Sequence, residues 1–232
     1  TTIPEILTVN LTNPPSSDGW KETKPHLKRF LCDSVLLPDG NVLVTNGAQQ
    51  GTADHNQKKV MDVEIFDSTT ETWSVIGKLK KPRLYHGTAI LLADGRVLVA
   101  GSTGHNFPVA IFNPPKHFEQ EIEFITPPYL KNNPIRPQIE DYAESILYDS
   151  VFKILIGSSE IIEKVSMIRL SSTTHNNNMD QRCLFLQILE KTGDTITLKS
   201  PKDGSWAPPG YYMLFIVDAN GVPSTAKFVH LS

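Results

Sequence analysis

A stretch of seventeen residues, CDSVLLPDGNVLVTNGA at Cys32–Ala48, returns as GTAILLADGRVLVAGST at Gly87–Thr103. Each copy has an apolar run, an Asp-Gly pair (Asp39-Gly40 and Asp94-Gly95), a second apolar run and then glycine. Asp-Gly between two apolar runs is the strongest short-range signal for a two-stranded hairpin, because the turn needs residues that tolerate positive φ. Upstream of each copy stand a tryptophan and then an arginine: Trp20 and Arg29 before the first, Trp73 and Arg83 before the second. A chain with this repeat must stack similar β-units side by side.

The offset, 53 residues from Trp20 to Trp73 and 55 from Cys32 to Gly87, is close to the roughly 50 of a kelch-type propeller blade. VEIFDSTTETW at Val63–Trp73 reads as the outer hairpin of such a blade, with polar turn residues between two strands. Only about two blades fit into residues 1–115. A propeller has typically about 4–8 blades and closes to protect its edges, and two alone would leave edge strands open. Another chain, or an upstream segment, is therefore expected to complete the propeller.

A break follows, with Pro114, Pro115, Pro127, Pro128 and Pro134 crowded into one stretch. Proline there argues for an extended linker and against a helix. Beyond it come short strand-like runs, including SVFKILIG, KVSMIRL, CLFLQIL, TITLKS, YYMLFIVDANG and STAKFVHL. About seven strands in about 100 residues indicate an antiparallel sandwich of immunoglobulin type. The expected architecture is all-β, with partial propeller blades over 1–115 and a β-sandwich over 116–232. No segment reads as a helix.

Other features exclude more than they assign. A net charge of −3 with no basic block makes nucleic acid and anionic membrane surfaces poor partners. With 39% hydrophobic and 20% charged residues, the chain can build a core rather than stay disordered. No apolar run approaches the ~18 residues of a membrane span. TTIPEIL at the start lacks the charged and apolar regions of a secretory signal, so a signal is either absent or removed before this numbering begins. Cys32 and Cys183 allow one disulfide or two thiols, and their apolar surroundings favour buried thiols. Asn10 in NLT fits the N-glycosylation pattern, a triplet common by chance.

Of the seven histidines, His26, His55, His105, His117 and His230 sit in polar or turn contexts with no ligand-like neighbour. His86 differs: it follows Tyr85 in RLYHGTA, where the second blade's inner strand begins, and inner strands line a propeller's channel. His175 is the one imidazole in SSTTHNNNMDQR (Ser171–Arg182), a polar stretch between two strand-like runs. Asp180 and Arg182 are placed to brace that loop through charge-assisted hydrogen bonds, and a braced loop can hold one side chain in a fixed direction.

Three motifs in order, RLYHGTAILLADGRVLVAGS, THNNNMDQR and WAPPGYYMLFIVDANGVPSTAKFVHL, resemble the C-terminal half of the galactose oxidase/glyoxal oxidase family of copper radical oxidases. FITPPYL followed by Arg136-Pro137 is similar to that family's lead-in to its C-terminal sandwich. The resemblance covers roughly Arg29 to the end. It implies that the Ser171–Arg182 hairpin delivers a copper-ligating histidine into the propeller. His175 resembles that ligand, His86 the second equatorial histidine, and Tyr85 the axial tyrosine and general base. It also implies a secreted protein that oxidises small aldehydes or primary alcohols with O2, giving H2O2.

One part of the family pattern is missing. The resemblance also implies a second tyrosine, cross-linked to a cysteine and storing a radical, on blades upstream of anything present. Neither Cys32 nor Cys183 corresponds to that cysteine. By itself the chain is therefore not expected to oxidise anything. Two other readings stay open: an extracellular structural or assembly subunit that keeps the fold without catalysis, and a plain kelch binding module, which leaves the His175 hairpin unexplained.

Overall fold

The computed structural model describes residues 4–8, 19–51, 56–102, 119–157 and 161–232. Asn10, His55, His105, His117, Pro114 and Pro115 lie outside the described residues.

Both copies of the repeat form the expected hairpin. In the first, Asp33–Leu36 pairs with Val42–Thr45, and Asp62–Asp67 and Thr72–Lys78 extend the antiparallel sheet to four strands. In the second, Gly87–Leu91 pairs with Val97–Gly101. The turns match bond for bond. Leu37 N donates to Asn41 O and Leu92 N to Arg96 O, both at 2.9 Å. Asp39 Oδ1 accepts from Asn41 N at 3.1 Å and Asp94 Oδ1 from Arg96 N at 3.0 Å. This is the local side-chain bonding that makes Asp a turn residue.

The second blade also draws on chain beyond residue 115. Glu123–Ile125 pairs antiparallel with Val97–Val99, so the blade sheet takes up part of the segment expected to begin the sandwich. The proline-rich stretch carries one 3-10 turn, Pro128–Leu130; among the described residues there is no α-helix.

Within residues 139–231, two sheets make the sandwich. One has the order Ile139–Tyr142, Val151–Ile156, Thr195–Lys199, Gln187–Thr192. The other has the order Ser145–Ile146, Lys227–Leu231, Gly210–Asp218, Ile162–Arg169, Cys183–Phe185. Val151–Ile156 shows the simple alternation of a half-buried strand, with Phe152, Ile154 and Ile156 inside. Gly210–Asp218 does not alternate: Tyr212 to Asp218 are all buried. The reason is that this sheet is covered on both faces. Leu214 and Ile216 join Met167 and Val165 in the sandwich core. Met213 and Phe215, with Ile168 and Ala226, pack instead with Leu37, Val97 and Val99 of the blades.

The two Asp-Gly turns are the contact points for this docking. Phe185 packs on Gly40, whose φ of +96° already favours glycine and whose missing Cβ would lie 2.8 Å from the Phe185 ring. Lys164 Nζ donates to Asp39 O at 3.2 Å. At the other turn Arg136 donates to Asp94 O and Pro223 O at 2.8 Å, Tyr129 Oη to Gly95 O at 2.7 Å, and Ala226 N to Ala93 O at 2.8 Å. Blades and sandwich therefore share one packed core, which positions the hairpin described next.

Candidate metal centre

Tyr85 and His86 occupy a turn at the start of the second blade's first strand. Gly87 N donates to Leu84 O at 2.7 Å, and His86, third in the turn, has φ +58°. On the sandwich side, Thr173–Thr174 and Asn177–Asn178 pair as a short hairpin. Its two-residue tip is His175-Asn176, with φ of +54° and +59°. Two positive-φ residues in succession fit a tight turn whose twist matches the flanking strands. A non-glycine residue in this region costs about 1–2 kcal/mol, and such costs concentrate where function demands a particular side-chain direction.

The hairpin reaches the Tyr85–His86 turn. The ring centroids of His86 and His175 lie 4.8 Å apart, those of Tyr85 and His86 4.0 Å, and those of Tyr85 and His175 5.5 Å. Both imidazoles are exposed and the phenol is half-buried. The Thr174 hydroxyl and His175 Nδ1 are 2.7 Å apart, which engages that nitrogen and leaves Nε2 as the outward donor. Two imidazoles and a phenol form a nitrogen–oxygen donor set of the kind that suits Cu(II). Among the described residues no group of three or more His, Cys, Asp or Glu side chains is arranged to hold a metal; the oxygen donor of this cluster is a tyrosine.

Of the two residues expected to brace the loop, Asp180 does so, with Arg169 as its partner. Asp180 Oδ2 accepts from Arg169 Nε at 2.7 Å, whereas Arg182 is 3.9 Å from Asp180, too far for a hydrogen bond. Arg169 also donates to Pro209 O at 3.0 Å and lies over the Tyr212 ring. Thr88 and Thr173 hydroxyls bond at 2.6 Å across the two domains, and Gln181 Oε1 accepts Leu36 N at 2.9 Å. At the tip, Asn176 Nδ2 faces Asp33 Oδ2 at 3.0 Å, and Asn46 Nδ2 reaches the same oxygen at 2.6 Å. Neither Arg169 nor Asp33 stands out in the sequence. Asp33 is 143 residues from its partner, and nothing local marks it. His26 and His230 fit the ordinary reading: the His26 backbone bonds Glu64, and the His230 ring packs edge-on against Tyr211.

Burial raises the Asp33 carboxyl to about 6, although both amides favour its charged form. An unfolded Asp titrates near ~3.9. With the folded value raised, the group's stabilising contribution is fully present below about pH 4 and is lost as pH rises through about 6. The metal-free protein should therefore gain on the order of 2–3 kcal/mol relative to Asp33→Asn between pH 7 and pH 4. Urea denaturation of both proteins across that range checks it; a constant difference would contradict it.

Cys32 and Cys183 are free thiols. Burial pushes both upward, Cys183 to about 12, as suits thiols that pack rather than react.

The model of the glyoxal oxidase N-terminus matches residues 8–129, more than half of the chain. The chain belongs to the galactose oxidase/glyoxal oxidase family. The galactose oxidase-like Early set domain, an immunoglobulin-like fold, matches residues 136–231. An aldehyde oxidase of Arabidopsis thaliana is 34% identical over 91% of this chain and 37% of its own length. A galactose oxidase of Gibberella zeae is 30% identical over 89% of this chain and 30% of its own. Among solved structures, a fungal alcohol oxidase of the AA5 family in complex with copper superposes with a TM-score of 0.87 at 29% identity. It covers all of this chain and 48% of that one. This member of the galactose oxidase/glyoxal oxidase family thus spans less than half the length of each of these relatives. No helix among the described residues is long and apolar enough to cross a membrane.

Proposed function

We propose that this chain is the C-terminal part of a secreted copper radical oxidase, with Tyr85, His86 and His175 as its share of the copper ligands. The reading is carried by one observation: a sandwich hairpin and a blade turn bring two imidazoles and a phenol within 4.0–5.5 Å of one another, ring centre to ring centre. The reaction is the two-electron oxidation of an aldehyde or primary alcohol coupled to reduction of O2 to H2O2. Copper, when bound, supplies Lewis acidity and one of the two electron-accepting centres. His175, with Nδ1 engaged by Thr174, would hold the metal through Nε2 together with His86. Tyr85 accepts the proton of the substrate hydroxyl.

The second electron-accepting centre, a cross-linked tyrosine–cysteine pair, belongs to a part of the protein outside this chain. Cys183 packs against the core shared by blades and sandwich, and Cys32 lines a cavity of about 610 Å3 on the first blade with Leu27, Val42, Val44, Phe66 and Trp73. That largely apolar face suits a further blade, on an upstream segment or another chain. That neither Cys32 nor Cys183 matches the family's cross-linked cysteine also supports a second reading, a non-catalytic extracellular assembly subunit. Copper analysis and an H2O2 assay on the complete protein separate the two. About one copper per protein and peroxide release with a primary alcohol or aldehyde are expected. Tight copper binding without peroxide from any such substrate would favour the assembly subunit, and no copper would remove the oxidase reading.

A further inference from the structure

We propose that Asn176, anchored on Asp33, is a positioning residue that sets His175 against Tyr85 and His86. The inference rests on the copper reading above. Asn176 follows His175 at the hairpin tip, and its Nδ2 approaches three acceptors: Asp33 Oδ2 at 3.0 Å, Leu84 O at 3.1 Å and Gly87 O at 3.4 Å. An amide nitrogen carries two N–H donors, so the two shorter contacts are its bonds and the third is a long approach. Leu84 O is the carbonyl that closes the Tyr85–His86 turn, and Asp33 belongs to the first blade. One amide group therefore joins the hairpin tip, the ligand-bearing turn and the neighbouring blade.

The anchor is itself built in. Asp33 is buried, and the Oδ2 that receives Asn176 also receives Asn46, which is fully buried. Gly87 leaves room for both amides: a Cβ there would lie 3.3 Å from Asn176 Nδ2 and 3.4 Å from Asn46 Nδ2. The amide cannot be turned over, since its oxygen would then face a carboxylate and two carbonyls. Its actual Oδ1 is buried with no hydrogen-bond partner. An orphaned acceptor is costly, so simple stabilisation does not account for an amide at this point. Nor does the hairpin need Asn176 in order to stay docked, because Arg169–Asp180, Thr88–Thr173 and Gln181–Leu36 hold its base. What Asn176 adds is the register of the tip.

The test uses the complete protein, with Cu(II) alone as the probe. Affinity is measured by chelator competition, coordination by the EPR spectrum, and folding by the melt of the metal-free form. Asn176→Ala should weaken Cu(II) binding by roughly 10–100-fold, the usual effect of removing a group behind a metal ligand. The EPR parameters should change, while the metal-free melting temperature moves only slightly. If Asn176→Ala leaves affinity and spectrum unchanged while His175→Ala loses copper, the positioning role is wrong and the copper reading stands. If the wild type takes up no copper tightly, both fall.

Discussion

Replacing His175 by Ala should abolish tight Cu(II) uptake by the complete protein and leave the metal-free fold in place. His175 is exposed at a hairpin tip, beside the Thr174 hydroxyl and the Tyr85 and His86 rings. Truncating an exposed side chain of this kind changes stability by about 0.5 kcal/mol or less. Copper acts through mass action on the folded state: at a thousandfold excess over Kd it adds about 4.1 kcal/mol, which raises the melting temperature. Four melts decide the matter, wild type and variant with and without Cu(II). A copper-induced shift of the same size in both proteins would show that His175 is not a ligand.

Arg83→Ala should cost about 3–5 kcal/mol, the range for breaking a buried charge pair by removing one partner. Arg83 is fully buried. Its Nη1 donates to Gly101 O at 2.9 Å, its Nη2 to Glu121 O at 2.8 Å, and it pairs with Glu123 at 3.2 Å. The guanidinium thereby ties the ligand-bearing turn to both strands beside it. Arg83→Lys should not rescue, because an ammonium cannot make the forked contact. Arg29 holds the equivalent place in the first blade, bonding Asn46 O, Asp62 O and the Glu64 carboxylate. Chemical denaturation measures the loss as a lowered midpoint with unchanged slope. A loss under about 1 kcal/mol would mean that water or a rearranged neighbour takes over the bonds.

How far the sequence could be read follows from the range of the interactions involved. The Asp-Gly hairpins were legible because turn chemistry and period-2 alternation act over a few residues, and Asp39-Gly40 and Asp94-Gly95 form the same bonds in both blades. The sandwich was legible for the same reason, through runs such as Val151–Ile156. The brace of the His175 hairpin was only half legible. Asp180 was visible, but its partner is Arg169 on the preceding strand, because the hairpin folds back over the strand it leaves.

By itself, then, the sequence determined the strands, the turns, the two kinds of β-unit and, through resemblance, the residues to watch: Tyr85, His86 and His175. Tertiary structure alone decided how those residues meet. The run Tyr212–Asp218 is buried throughout because its sheet is covered on both faces, which its reading as a strand did not reveal. The docking of Met213 and Phe215 on the blades, and of the sandwich on both Asp-Gly turns, sets the height and angle of the hairpin. Only then do Asp33 and Asn176, 143 residues apart, come within a hydrogen bond. Local propensity carries no information about such a pair. It depends on the rigid placement of one packed body against another, which arises from the summed fit of many side chains.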